Sequence, residues 1–233
     1  MNQGLQTAVD LSRTSGIPSV AERNRVLRNT YWLLALSMIP TIIGAWIGVS
    51  TGIVRGLSPG IGLVVFLAGA FGFMFAIEKF KNSAAGVPIL LGFTFFMGLM
   101  LSRLLAAVLG FANGASLVML AFAGTAGVFF AMASLSSIIK RDLTGMAKFM
   151  FVGVIGLFIV GIANVFIQSS ALMLTIAALA VLVFSFFILY DLKRVAEGEE
   201  TNYITATLGV YLSIYNVFQS LLAIFGLTGG SND

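Results

Sequence analysis

Seven uninterrupted apolar runs divide this chain, over residues 31–49, 61–77, 88–109, 115–139, 149–166, 171–190 and 204–227. Within each run apolar side chains follow one another on all sides, without the two-residue alternation of a half-buried strand or the single stripe of a surface helix. A helix needs roughly 17 to 25 apolar residues to cross a hydrocarbon core, and every run reaches that length. Backbone inside lipid must satisfy its own hydrogen bonds, which single runs do as helices. The pattern predicts an all-α integral membrane protein with seven transmembrane helices.

The polar connections are short, the tightest at 167–170, and leave no room for a folded domain outside the membrane. The chain therefore divides into an N-terminal tail over 1–29, a seven-helix domain over 30–228 and a short C-terminal tail over 229–233. The first tail carries Gln3, Ser12, Arg13, Thr14, Ser15, Pro18, Arg23 and Arg25 and has no early apolar stretch. It lacks the apolar core of a signal peptide and reads as a disordered segment retained on the side of synthesis.

Composition strengthens this picture and narrows the chemistry. Of 233 residues, 59% are hydrophobic and 9% charged, against about a quarter charged in soluble domains. Lipid must therefore solvate most of the surface. The chain has no Cys and no His. Disulfides, thiolate chemistry, imidazole switches, Ser/His intramembrane proteolysis and the helical HExxH zinc site are all excluded. No phosphate-binding glycine loop, metal-ligand spacing or nucleophile–base pair is present, so neither a cofactor nor an enzyme activity is expected.

A net charge of +4 would suggest nucleic acid in a soluble protein, but here the basic residues fall in loops and speak of topology instead. Arg13, Arg23, Arg25, Arg28, Lys79, Lys81, Lys140, Arg141, Lys148, Lys193 and Arg194 collect on one side; Arg55 and Arg103 belong to the other. The positive-inside rule then sets the N-terminus in the cytoplasm and the C-terminus outside.

Polar groups within the spans mark the candidate function. A charge at the bilayer centre costs about 3 kcal/mol on insertion scales. The last run is the most polar: Gly209, Ser213, Asn216 and Ser220 share one helical face, with Gln219 beside them. That stripe should face protein or water, which places the last helix at the centre of the bundle; its groups either bond neighbouring helices or line a polar path. Asp191 ends the sixth run, close to Lys193 and Arg194; it either pairs with them at the interface or turns into the bundle as a pH-sensing group. Arg103, near the far end of the third run, either snorkels outward or needs a partner in the path. Glu197, Glu199 and Glu200 form an acidic patch suited to a solvated face or a basic partner. Ala68 and Gly72, and Gly153, Gly156 and Gly161, are small residues at spacings that let helices approach, and Pro40 is placed to kink the first span.

The residues Val26-Leu27-Arg28-Asn29-Thr30-Tyr31, Glu200-Thr201-Asn202-Tyr203-Ile204 and Tyr211-Leu212-Ser213-Ile214-Tyr215-Asn216-Val217-Phe218 resemble the Bax inhibitor-1 family, and within it the bacterial YccA-type branch of FtsH-protease modulators. The similarity runs from about Arg25 to Gly226. It implies a seven-helix bundle around a central C-terminal helix, in a bacterial inner membrane with a periplasmic C-terminus. It also implies a partner, the membrane-anchored protease FtsH with HflK and HflC. A polar tail that a protease can grip, ahead of a bundle that resists extraction, would suit a poor substrate that restrains FtsH. The family's leak-type members imply a second property, a pH-sensitive calcium leak controlled by a carboxylate pair on the sixth and seventh helices. Asp191, in Ile188-Leu189-Tyr190-Asp191-Leu192, matches the first carboxylate, while Ser213 stands at the second. Serine cannot share a proton as a carboxylate does, so the coupled titration of a dyad is lost.

Overall fold

Ser19 opens the first helix with a reciprocal cap. Its hydroxyl accepts from the Glu22 amide at 3.2 Å, and the Glu22 carboxylate accepts from the Ser19 amide at 2.8 Å. In the computed structural model, which describes residues 19–230, this cap opens helix α1 (Val20–Thr51). Six more helices follow: α2 (Pro59–Phe80), α3 (Gly86–Leu109), α4 (Gly114–Ile138), α5 (Thr144–Ile167), α6 (Ser170–Glu197) and α7 (Tyr203–Gly229). All seven are long and apolar enough to cross a membrane, and no strand occurs among the described residues.

The boundaries follow from local chemistry. Ser58, Ser169 and Asn202 cap α2, α6 and α7 through side-chain oxygens, and Pro59 stands at a first helical turn that needs no amide donor. Gly52 and Gly198 close α1 and α6 in the left-handed region, where glycine is favoured. Gln168 holds the same conformation, with φ 56°, in the tight α5–α6 turn. Helices α1 and α6 outrun their apolar runs the furthest. The N-terminal tail expected over 1–29 is shortened, because 20–29 belong to α1; the expectations for 1–18 and for 231–233 lie outside the described residues. Helix α6 continues past the membrane run to Glu197. Helix α1 continues unbroken through Pro40.

The centre of the bundle lies on α3 and α7. Helix α7 contributes eleven buried residues and α3 ten, whereas α5 contributes only Ala147. Helix α7 packs against every other helix except α5, as its polar stripe predicts. The core joins Leu90, Phe93 and Met97 of α3 to Val210, Tyr211, Tyr215 and Val217 of α7, with Leu33 and Leu34 of α1 and Ile188 and Leu192 of α6.

The closest helix approach involves glycines other than those picked from spacing. A Cβ on Gly44 of α1 would strike the Phe95 carbonyl of α3, and one on Gly98 of α3 would strike the Thr41 carbonyl of α1. Gly48 likewise abuts the Ser102 side chain. The backbones of α1 and α3 are therefore in contact, which only small residues permit. Gly72, Gly153, Gly156 and Gly161 face open space instead, because α2 and α5 turn most of their surface outward.

Candidate functional site

The small face of α7 meets the end of α6 at Asp191. The Asp191 carboxylate is turned towards Gly209 of α7: a Cβ there would lie 3.0 Å from Oδ2 and 3.3 Å from Cγ. Gly209 thus leaves the space that the carboxylate occupies. Asp191 shares its side of α6 with Ile188, Leu192 and Val195, all at most 1% exposed. It forms no ion pair among the described residues; the charged groups that act on it are Arg194 and Glu200. The carboxylate is half-buried against α7 and is paired with neither Lys193 nor Arg194 among the described residues.

The cations expected to pair with Asp191 go elsewhere. Lys193, only 3% exposed, binds Glu197 one turn on. Arg194 Nε lies 3.6 Å from Glu199, and its guanidinium sits over the Tyr190 ring at 5.6 Å. Glu200 accepts from the Asn202 amide at 2.9 Å. The three carboxylates of the acidic loop, Glu197, Glu199 and Glu200, each have a partner within the loop region, and Glu197 and Glu199 stay exposed.

Ser213 lies one turn beyond Gly209, roughly 6 Å along the axis, and is buried. No hydrogen bond joins it to Asp191 among the described residues. Asn216 is half-buried and donates to the Leu212 carbonyl of its own helix at 2.8 Å, so it does not bond a neighbouring helix. Ser220 continues the buried face, while Gln219 is exposed. Arg103 is not brought to this group. It is exposed at the opposite end of the bundle, near the start of α2, where a Cβ on Gly62 would lie 3.7 Å from its Nη1. No cluster of three or more His, Cys, Asp or Glu placed to hold a metal occurs among the described residues.

The opposite face of α7 carries polar links that hydropathy concealed. The Tyr211 hydroxyl and Thr41 Oγ1 of α1 share a hydrogen bond of 2.9 Å. Tyr215 donates to the Met97 carbonyl of α3 at 3.2 Å, and Thr207 reaches the Thr30 carbonyl of α1 at 3.4 Å. The signal was present as Tyr211 and Tyr215, four apart and on one face, but a tyrosine ring reads as apolar while its hydroxyl does the bonding. At the loop end, the Asn202 side-chain amide donates to the Lys81 carbonyl at 3.2 Å and to Asn82 Oδ1 at 2.8 Å, while its oxygen caps α7. The Glu200–Ile204 motif is thus a clasp between the α2–α3 turn and the α6–α7 loop.

A seven-helix membrane bundle with a central last helix and one inward carboxylate defines the class of protein. The family model described as inhibitor of apoptosis-promoting Bax1 matches residues 23–230. An uncharacterized membrane protein of Vibrio cholerae is 36% identical over 221 residues, covering 95% of this chain and 97% of that protein. An uncharacterized protein of Neisseria meningitidis is 38% identical over 205 residues, 87% of this chain and 90% of that one. The Escherichia coli K12 protein named modulator of FtsH protease YccA is 35% identical over 208 residues, 89% of this chain and 92% of that one. The chain belongs to the Bax inhibitor-1 family, as a multi-pass membrane protein.

Proposed function

We propose that this protein binds and modulates an FtsH-type ATP-dependent protease complex in a bacterial inner membrane, acting as a regulator and not as a catalyst. Similarity over 89% of the chain to the protein named modulator of FtsH protease YccA carries the proposal. The inner membrane is favoured by the corresponding Escherichia coli O6:H1 relative, named an inner membrane protein. In this arrangement the N-terminus is cytoplasmic, the C-terminus is periplasmic, and HflK and HflC accompany the protease. The tail and the cytoplasmic loops, with Glu197, Glu199 and Glu200 in the last of them, carry the contact. The bundle supports the role physically: helices joined backbone to backbone, with their hydrogen bonds satisfied in lipid, resist being pulled out. Affinity capture of the full chain from detergent-solubilised native membranes, followed by mass spectrometry, should recover FtsH with HflK and HflC. Recovery of this protein alone from membranes that contain FtsH overturns the proposal.

A second reading, a calcium or other cation leak, is favoured by the inward turn of Asp191 towards the α7 face that carries Ser213 and Asn216. A leak needs no partner. Proteoliposomes holding only this protein should then pass calcium, and Asp191→Asn should change the rate; flux equal to that of empty liposomes sinks this reading.

A further inference from the structure

Helices α1 and α4 make no close backbone approach to one another. On the exposed side of α1, near its first turns, lies a groove of about 550 Å³ lined by Asn24, Leu27, Arg28, Tyr31, Trp32 and Ala35. The Tyr31 ring meets Phe129 of α4 edge-on, with centroids 6.3 Å apart, and closes one flank. Trp32 is 74% exposed although it is one of only two tryptophans in the chain.

The groove changes character along its length of roughly 16 Å. Asn24 and Arg28 supply an amide and a guanidinium at the end nearest the start of α1. Tyr31 and Trp32 follow, and Ala35 opens the far end onto the apolar span. No carboxylate lines it. The ion pairs among the described residues use Lys81, Lys193 and Arg194, and Arg28 is in none of them. Guanidinium matches phosphate in a planar fork, and amphipathic rings favour the zone between headgroup and acyl chain. A soluble phosphate compound would use Arg28 and leave Trp32 and Ala35 idle. A second apolar helix would use Trp32 and Ala35 and strand the guanidinium. A molecule with the same gradient, from anionic head to hydrocarbon, uses the whole groove.

We infer that this groove binds one anionic glycerophospholipid, its phosphate on Arg28 and Asn24, its ester region against Tyr31 and Trp32, and an acyl chain laid past Ala35. The site is distinct from the bulk lipid that solvates the bundle, and it does not depend on the protease assignment.

The test is native mass spectrometry of the full chain in neutral detergent, titrated separately with phosphatidylglycerol, phosphatidylcholine and inorganic phosphate. One adduct of phosphatidylglycerol should be held about fivefold more tightly than phosphatidylcholine, the contribution of one cation near an anionic surface. Arg28→Gln should bring the two lipids level, Arg28→Lys should retain part of the preference, and Trp32→Ala should weaken both. Arg103→Gln, which removes an exposed cation at the opposite end, should change nothing. Equal binding of both lipids by the unaltered chain, or equal losses in the Arg28 and Arg103 variants, overturns the inference. Displacement of phosphatidylglycerol by inorganic phosphate alone overturns the lipid assignment in favour of a free anion. Arg28 is exposed, so its variants should melt like the unaltered protein; if they do not, Trp32→Ala alone carries the test and must weaken both lipids.

Discussion

Gly98→Ala adds a single methyl group where α3 touches α1. Its Cβ would lie 2.8 Å from the Thr41 carbonyl carbon and 3.0 Å from the Ala45 amide nitrogen, against 3.4–4 Å for ordinary contact. The obstacles are backbone atoms, the Thr41 carbonyl oxygen nearest of all, so no rotamer change relieves them, and the helices must part by about 1 Å, a gap that forfeits about half of each affected dispersion contact. Overpacking of this kind costs about 1 to 3 kcal/mol. Replacing glycine inside a helix returns about 1 kcal/mol at most. The net loss should reach about 2 kcal/mol, or up to about 8 °C in Tm for a chain of this size. Gly153→Ala is the matched control, since its added methyl meets nothing within 4 Å; it should leave Tm unchanged or raise it slightly. Gly44→Ala should behave like Gly98→Ala. The double variant should cost less than the sum, because helices already parted by one methyl admit the second. Thermal aggregation followed by size-exclusion chromatography in detergent measures all four. If Gly98→Ala and Gly153→Ala shift Tm alike, the backbone contact between α1 and α3 is not what holds this pair.

Three further outcomes follow from the side-chain links. Tyr211→Phe should cost about 1 kcal/mol by the same thermal assay, and Thr41→Val should cost less in that background than in the unaltered chain, since the two hydroxyls share the bond between α1 and α7 and Thr41 keeps only its bond to the Ser37 carbonyl. Asn202→Ala removes both the α7 cap and the tether to Lys81 and Asn82; it should lower stability by about 1 to 2 kcal/mol and speed proteolysis of the α2–α3 turn, and unchanged cleavage there would refute the clasp. Asp142, in the exposed α4–α5 loop, accepts from the Thr144 amide at 2.8 Å, which holds its carboxyl below the usual range. A depressed folded value stabilises the fold above the unfolded pKa of about 4 and is lost as pH falls through the folded value. Asp142→Ala should therefore melt below the unaltered protein at pH 7, and the gap should narrow as the pH falls below about 4; a gap of constant size would refute the linkage.

The seven spans were legible because helices solvated by lipid need no polar side, so hydropathy alone marks them. Their ends were less so. The cap of α1 uses Ser19 and Glu22, polar residues that composition assigns to a tail. The end of α6 alternates buried Leu192, Lys193 and Val195 with charged neighbours, outside the pattern of a continuous apolar run. The central position of α7 was readable from Gly209, Ser213 and Ser220. The hydroxyls that tie it to α1 and α3 were not, because the rings of Tyr211 and Tyr215 count as apolar. Spacing identified small residues but not their partners: the glycines of α5 have the right intervals and face outward, whereas Gly44, Gly48 and Gly98 meet backbone. The run Glu197, Glu199 and Glu200 showed its charges in the sequence but not the groups that engage them, which are Lys193, Arg194 and the Asn202 amide.

The order of attachment along α1 bears directly on the proposed role. Any protease that pulls from the N-terminal side loads α1 before any other helix. That helix is held to α3 through Gly44, Gly48 and Gly98, and to α7 through Thr41 and Thr30. The first barrier to extraction is thus the contact that Gly98→Ala weakens. A loss of about 1.4 kcal/mol, if all of it lowers the barrier, raises the extraction rate about tenfold. Pulse-chase lifetimes should then show Gly98→Ala disappearing faster than the unaltered chain in cells with active FtsH, and both persisting equally when FtsH is depleted. Gly153→Ala should persist like the unaltered chain in both. Faster loss of Gly98→Ala regardless of FtsH would mean that general quality control, and not pulling by this protease, sets its lifetime. Equal lifetimes of Gly98→Ala and the unaltered chain with FtsH active, despite a lowered Tm, would mean that α1 is not where the pull is resisted.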